Sequence, residues 1–264
     1  MAKFWARNPC SGNYIEGKII EKRSSKYQEL IVAESECFGR MLVLDGAIQF
    51  AEKDEAIYHE MLTYPSLILH EGKNIGIYGG GDGLAAKRIL RFNKNVTVVD
   101  LDEEVIKITK EFFPNLVEDT FEKINLVIND ALKYNPKEKF DILFVDLVDF
   151  VEDSPLYNEK AFMHYKNSIK DDGLIVMHGD IAVLPKLVEK GTAFFKHFLT
   201  YTAYVDSFQT LWSFAIFSNS KIDANKIQKS DIKGKFFSPQ HFWIVDISKF
   251  PKTRKVADVC SVEF

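Results

Sequence analysis

Cysteine is scarce in this chain, and the three present, Cys10, Cys37 and Cys260, stand far apart. Their odd count and wide spacing exclude a disulfide framework and a cysteine-based metal cluster. The six histidines form no paired metal motif, so no metal is expected. No apolar run reaches membrane-spanning length, and polar residues follow Lys3 and Arg7, unlike a secretory leader. A soluble protein in a reduced, cytoplasmic setting is the default expectation. Positive charge is not in excess either. The net charge is -4, and lysines and arginines are scattered, so a nucleic-acid partner has no electrostatic support. Low-complexity linkers and internal repeats are missing as well. What the chain has is bulk apolar content: 46% of its 264 residues, with 22 phenylalanines, enough to bury a sizeable core.

The stretch Gly79-Gly80-Gly81-Asp82-Gly83 follows the apolar run Ile75 to Tyr78. A helix-like segment, Leu84 to Phe92, comes next, and Asp100 closes the following apolar run, Val96 to Val99. Strand, glycine turn, helix, strand and acid make the front of a nucleotide-binding βαβ unit. Glycines such as Gly79 and Gly81 let the backbone turn and lie close to a ligand, and Asp100 can accept from both hydroxyls of a ribose. Asp82 sets this loop apart. A carboxylate there repels a phosphate, so the fitting ligand is a nucleoside without phosphates and with a cation. S-adenosylmethionine and its relatives meet that description.

Residues 1–52 read as short strands, Ile15 to Glu21, Tyr27 to Ala33 and Arg40 to Leu44, with a hairpin signal at Asp45-Gly46: a small antiparallel β domain. Lys53 to Leu69 reads as helical, with a kink or restart at Pro65. From residue 73 strands and helices alternate, then two final strands, Tyr201 to Val205 and Trp212 to Phe217, form an antiparallel hairpin; a single helix is expected over Val183 to Phe198. Residues 53–264 are therefore expected to form an α/β domain with a mainly parallel, doubly wound sheet, Rossmann-like and of the class I methyltransferase type.

Ligands in such sheets bind at the carboxyl ends of the strands. Asp82, Asp100, Asp130, Asp146 and Asp180 all fall at or just after strand ends. Single aspartates there are ordinary turn residues, but five in register point to a binding edge. The segment Phe140 to Glu159 carries Asp141, Asp146, Asp149, Glu152, Asp153 and Glu159 and no basic residue. Such crowding favours a bound cation, and Asp146 and Asp149 suit an ammonium from which an acid can take a proton. Upstream, Tyr58 and His59 lie in a polar cluster, Asp54 to Glu60, on the predicted helix.

Together these elements resemble the spermidine synthase family, the polyamine aminopropyltransferases. The resemblance rests on Tyr27-Gln28, Phe38 to Gly46, Glu52 to Glu55, Tyr58 to Leu62, the glycine loop, Val99 to Asp102, and Val145 to Asp149. The Leu44-Asp45-Gly46 and Tyr58 to Leu62 elements are the specific ones, because ordinary methyltransferases carry only the loop. The resemblance implies transfer of the aminopropyl group of decarboxylated S-adenosylmethionine to putrescine or a related amine, with no bound cofactor. It implies that Asp100 holds the ribose and that Asp130 and Ala131 meet the adenine. Gly79, Gly81 and Leu101 line the donor, and Asp82 and Gln28 meet the aminopropyl end with His59 close by. Asp146 and Tyr58 would orient and deprotonate the amine, and Asp149 would bind its far end. His178, Asp180 and Phe208 would complete the acceptor side. The expected partners are a small amine and a nucleoside sulfonium, in a homodimer or homotetramer.

The chain departs from the family on the amine side. Leu147 and Val148 replace polar residues between the two acids, His178 and Asp180 stand where Gln and Glu are usual, and Asp206 to Leu211 replaces a Pro-Thr-Tyr-Pro-Ser-Gly element. An apolar wall of Leu147, Val148, Phe150 and Phe208 follows from that reading. A methyltransferase using intact S-adenosylmethionine, and a non-catalytic relative, are the competing readings.

Overall fold

The computed structural model describes residues 1–6, 13–150 and 154–247. Arg7, Cys10, Glu152, Asp153 and Cys260 lie outside the described residues. Five strands open the chain: β1 Ala2–Trp5, β2 Tyr14–Ser24, β3 Glu29–Ser35, β4 Gly39–Leu44 and β5 Ala47–Ala51. The hairpin signal is realised between β4 and β5, where Asp45 (φ 47°) and Gly46 (φ 81°) both take positive φ, the geometry that an Asp-Gly turn suits. The strands are antiparallel neighbours, as expected, but they also close into a barrel through a parallel contact of Trp5 with Ala47. Closure depends on a four-residue strand meeting one some forty residues away. No local alternation signals that.

Helix α1, Glu55–Leu69, runs unbroken through Pro65, so the helix does not restart there. Proline has no N–H to give the carbonyl four residues back, which is Met61. The buried Tyr201 hydroxyl donates to that carbonyl instead, at 2.9 Å. Residues 55–67 of the helix are buried on every side, including Glu55, His59 and Glu60.

The second unit follows: β6 Asn74–Gly79, α2 Leu84–Leu90, β7 Asn95–Asp100, α3 Glu103–Phe112, the short α4 Pro114–Val117 and α5 Thr120–Lys123, β8 Asn125–Ile128, β9 Phe140–Asp146, α6 Glu159–Ser168, β10 Ile169–Asp180, α7 Leu184–Thr192, β11 His197–Val205, β12 Thr210–Ser218 and α8 Asn225–Gln228. The sheet order is β11-β12-β10-β9-β6-β7-β8. Strands β6 to β10 are parallel, and β12 and β11 are antiparallel. This is the expected doubly wound α/β fold with an antiparallel N-terminal unit. Helix α7 stops at Thr192 rather than Phe198, because His197 and Phe198 already pair with Ser218 and Phe217 of β12.

Both sheet faces are covered, which explains the near-continuous apolar strands. Ile77, Ile142, Phe144 and Val176 pack toward α1 and α2, and Tyr78, Leu143, Val145 and Met177 toward α6 and α7. The barrel presents Leu30, Val32, Leu42 and Phe50 to α3. No helix among the described residues is long and apolar enough to cross a membrane.

Candidate functional site

Strand order reverses between β6 and β9, the point at whose carboxyl ends a sheet of this type forms its ligand-binding crevice. Gly79 and Asp146 are partners in register at that point. A Cβ on Gly79 (φ 84°) would lie 2.0 Å from the Asp146 carbonyl oxygen, so only glycine lets the two strand ends meet. Gly81 is similarly close-fitted: a Cβ there would sit 2.7 Å from Asp100 Oδ2.

Asp100 is held from both sides. Gly81 N–H donates to Oδ2 at 2.9 Å and Asp102 N–H to Oδ1 at 2.8 Å. Burial pushes its pKa up, partly offset by those two donors. Each oxygen accepts one of these bonds and keeps a second lone pair, the number that binding a diol requires. Leu101 is exposed beside it. Asp102 is also buried and ties the barrel to this unit. It accepts from Ser25 Oγ at 2.7 Å and from Gln28 Nε2 at 2.9 Å, both at Oδ2. Gln28 thus reaches the crevice through Asp102, beside Asp100. At the end of β8, Asp130 accepts from Leu132 N–H at 2.9 Å and pairs with Lys133 at 3.1 Å. Burial would raise its pKa, but Lys133 and the Leu132 N–H outweigh that and lower it. The Ala131 carbonyl takes a hydrogen bond from His164 Nε2 at 2.9 Å.

Asp82 accepts from Leu84 N–H at 2.8 Å through Oδ1, and its Oδ2 faces His59 Nε2 at 3.7 Å. The other side of the His59 ring, Nδ1, meets the Glu55 carbonyl at 2.8 Å and carboxylate at 3.1 Å. Burial alone would make this imidazole less basic. Asp82 and Glu55 outweigh burial and raise its pKa to about 10.

Beside His59 on the same helix, with the rings 5.0 Å apart, Tyr58 donates its hydroxyl to Asp146 Oδ1 at 2.5 Å, and His178 Nε2 lies 3.4 Å from the same oxygen. Aromatic rings frame this pair. Tyr58 meets His178 edge-on at 5.5 Å, Phe208 at 5.9 Å and Phe214 at 5.8 Å between centroids. Trp212 backs both His178 and Phe208. Phe208 sits in the β11–β12 turn, which Asp54 fastens to the start of α1 by accepting from Ser207 N–H at 2.6 Å and Ser207 Oγ at 3.0 Å.

Asp180 spends its carboxylate on Ala182 N–H at 2.8 Å and Thr210 Oγ1 at 2.9 Å. Asp149 is half-buried in the loop after β9. Of the expected apolar wall, Phe208 lies against Tyr58, Leu147 is half-buried near Gly79, Phe150 packs on Tyr157 in the core, and Val148 is exposed. Asp141 belongs to the opposite end of β9, paired with Lys170 at 2.9 Å and outside the acidic crevice. Three roles went unread in the sequence: Asp102 under Gln28, Asp54 on Ser207, and Arg88 on Glu55. The Asp54 to Glu60 cluster was the local sign of the last two, through Asp54 and Glu55. Among the described residues no group of three or more His, Cys, Asp or Glu could hold a metal ion.

The site thus joins Asp100, held by two backbone N–H groups, the Asp82 carboxylate beside His59, and a Tyr58–Asp146 pair in an aromatic frame. A family model described as the spermine/spermidine synthase domain matches residues 55–228, and one described as the spermidine synthase tetramerisation domain matches residues 15–52. A polyamine aminopropyltransferase of Hydrogenobaculum sp. is 33% identical over 248 residues, 88% of each chain. A thermospermine synthase of Arabidopsis thaliana is 34% identical over 223 residues, 78% of this chain and 66% of that one. The crystal structure of spermidine synthase from Thermotoga maritima superposes with a TM-score of 0.78 at 21% identity, covering 90% of this chain and 87% of that one, a likeness of fold.

Proposed function

The chain belongs to the spermine/spermidine synthase family, and on that premise we propose that it transfers the aminopropyl group of decarboxylated S-adenosylmethionine to putrescine or a close diamine, giving spermidine and methylthioadenosine. The observation that carries this reading is the Tyr58–Asp146 pair, set beside the Asp82–His59 pair.

The donor lies along the glycine loop. Asp100 takes its ribose diol, Asp130 and Ala131 its adenine, and Gly79, Gly81 and Leu101 line it. Gln28 supports this side through Asp102. Asp82 takes the aminopropyl ammonium, beside His59. The acceptor arrives protonated and is not yet nucleophilic. Asp146, oriented by Tyr58, removes one proton. The freed lone pair attacks the methylene carbon next to the sulfonium. The new C–N bond forms as the C–S bond breaks, and its electron pair leaves on sulfur, which becomes neutral. The secondary amine formed carries the positive charge. Positioning and charge placement supply the acceleration. Phe208 and His178 flank the methylene chain of the acceptor, and Asp149, with Asp180 beyond it, serves the distal ammonium.

An intact S-adenosylmethionine would bring its carboxylate toward Asp82, against charge. The match of residues 15–52 to a tetramerisation domain supports a homo-oligomer, a dimer or tetramer, built on the barrel. The test is methylthioadenosine release from each donor with and without putrescine. Amine-dependent release from the decarboxylated donor alone supports the reading; methyl transfer from the intact donor would replace it.

A further inference from the structure

Behind the glycine loop runs a buried line of five alternating charges. Asp82 stands at its outer end, His59 next, then Glu55. Glu55 Oε1 accepts from Arg88 Nη2 at 2.5 Å, and Arg88 Nε lies 3.7 Å from Glu60 Oε1. Glu60 closes the line by accepting the backbone N–H groups of Lys235, Phe236 and Phe237 at 2.8, 2.7 and 2.9 Å. Glu55, His59 and Glu60 belong to α1, and Arg88 reaches them from α2. All four are buried.

The proton positions follow from the acceptors. The Glu55 carbonyl only accepts, so His59 Nδ1 carries a hydrogen. Nε2 faces the Asp82 carboxylate, where a lone pair would be repelled, so it carries one too. The ring is an imidazolium resting against Asp82. The ring also meets the rings of Phe50 and Tyr58 in T-shaped contacts, at 6.5 and 5.0 Å between centroids, and the Tyr58 hydroxyl in turn holds the Asp146 carboxylate.

A second cation at Asp82 changes that balance. An ammonium on Oδ2 would stand about 5 Å from Nε2, and at an effective dielectric of about 20 it would lower the proton affinity of His59 on the order of a hundredfold. Glu55 opposes the loss, because its carboxylate holds the Nδ1 side. Arg88 occupies one oxygen of Glu55 and cancels much of that pull.

We propose that the donor's ammonium and the His59 proton compete for Asp82, and that Arg88 is the positioning residue that lets His59 release its proton as the donor binds. The proposal rests on Asp82 as the aminopropyl site. Methylthioadenosine has the same nucleoside and no ammonium, so it leaves the His59 proton in place.

The test is calorimetry at pH 8 in two buffers of different ionisation enthalpy, with decarboxylated S-adenosylmethionine and with methylthioadenosine. The intact enzyme should release about half a proton or more with the donor, given a His59 affinity lowered on the order of a hundredfold, and none with methylthioadenosine. Arg88→Gln leaves Glu55 uncancelled and should suppress the release; Arg88→Lys keeps a charge there and should retain most of it. A merely structural Arg88 would change affinity for both ligands and leave the difference in proton count intact. Equal proton counts for the two ligands on the wild type overturn the proposal, even where Arg88→Gln does not fold. So does an Arg88→Gln protein whose release matches wild type. A wild type that binds methylthioadenosine but not the donor overturns the function reading itself, which separates the two failures.

Discussion

The Tyr58 hydroxyl and Asp146 Oδ1 lie 2.5 Å apart, joining a buried helix to the end of β9 at the point where strand order reverses. Asp146→Asn keeps the shape and removes both the charge and the base. Turnover should fall by about 10²–10⁴, the usual worth of a general base. Methylthioadenosine affinity by calorimetry should stay near wild type. Turnover within a few-fold of wild type would assign the proton to another group.

Asp100, the proposed nucleoside ligand, is fixed between the backbone N–H groups of Gly81 and Asp102. Asp100→Ala should weaken methylthioadenosine binding by about 1.5–3 kcal/mol, the range for lost hydrogen bonds to a charged group. Calorimetry reads this directly, and an unchanged affinity would remove Asp100 from the ribose site.

The acceptor's far end is assigned to Asp149. Asp149→Ala should raise the apparent KM for the amine and leave donor binding nearly unchanged, since its proposed role is to hold the acceptor only. Steady-state kinetics with each substrate varied in turn separate the two. A silent variant would mean that the distal ammonium is held elsewhere.

His59 sets a pH dependence of stability. Its folded pKa, about 10, exceeds the ordinary 6.5, so the folded protein binds the extra proton between those values. That contribution is complete below pH 6.5 and is lost as pH rises through about 10. Melting temperature should therefore fall more steeply from pH 7 toward 10 in the wild type than in His59→Gln. Parallel curves would contradict the buried imidazolium.

Much of this was legible locally. Positive φ at Asp45 and Gly46, the glycine loop and the acids at strand ends are properties of short segments. What stayed hidden joins distant residues. The Pro65 helix survives because Tyr201, far along the chain, supplies the missing donor. Gln28 is seated by Asp102, and Phe208 is placed through Ser207 and Asp54. Asp141 looked like a member of the acidic site because it is near Asp146 in sequence, yet a seven-residue strand puts them at opposite ends. Pairings of that kind are set by the register of packed elements, which no single segment encodes.

The most direct measurement of the central claim is mass analysis of products after incubation with decarboxylated S-adenosylmethionine and a panel of amines. The account predicts methylthioadenosine together with an amine one aminopropyl group heavier, with putrescine or a close diamine used best and amino acids left untouched. A methylated product from the intact donor, no transfer to any amine, or a preference for monoamines would contradict it.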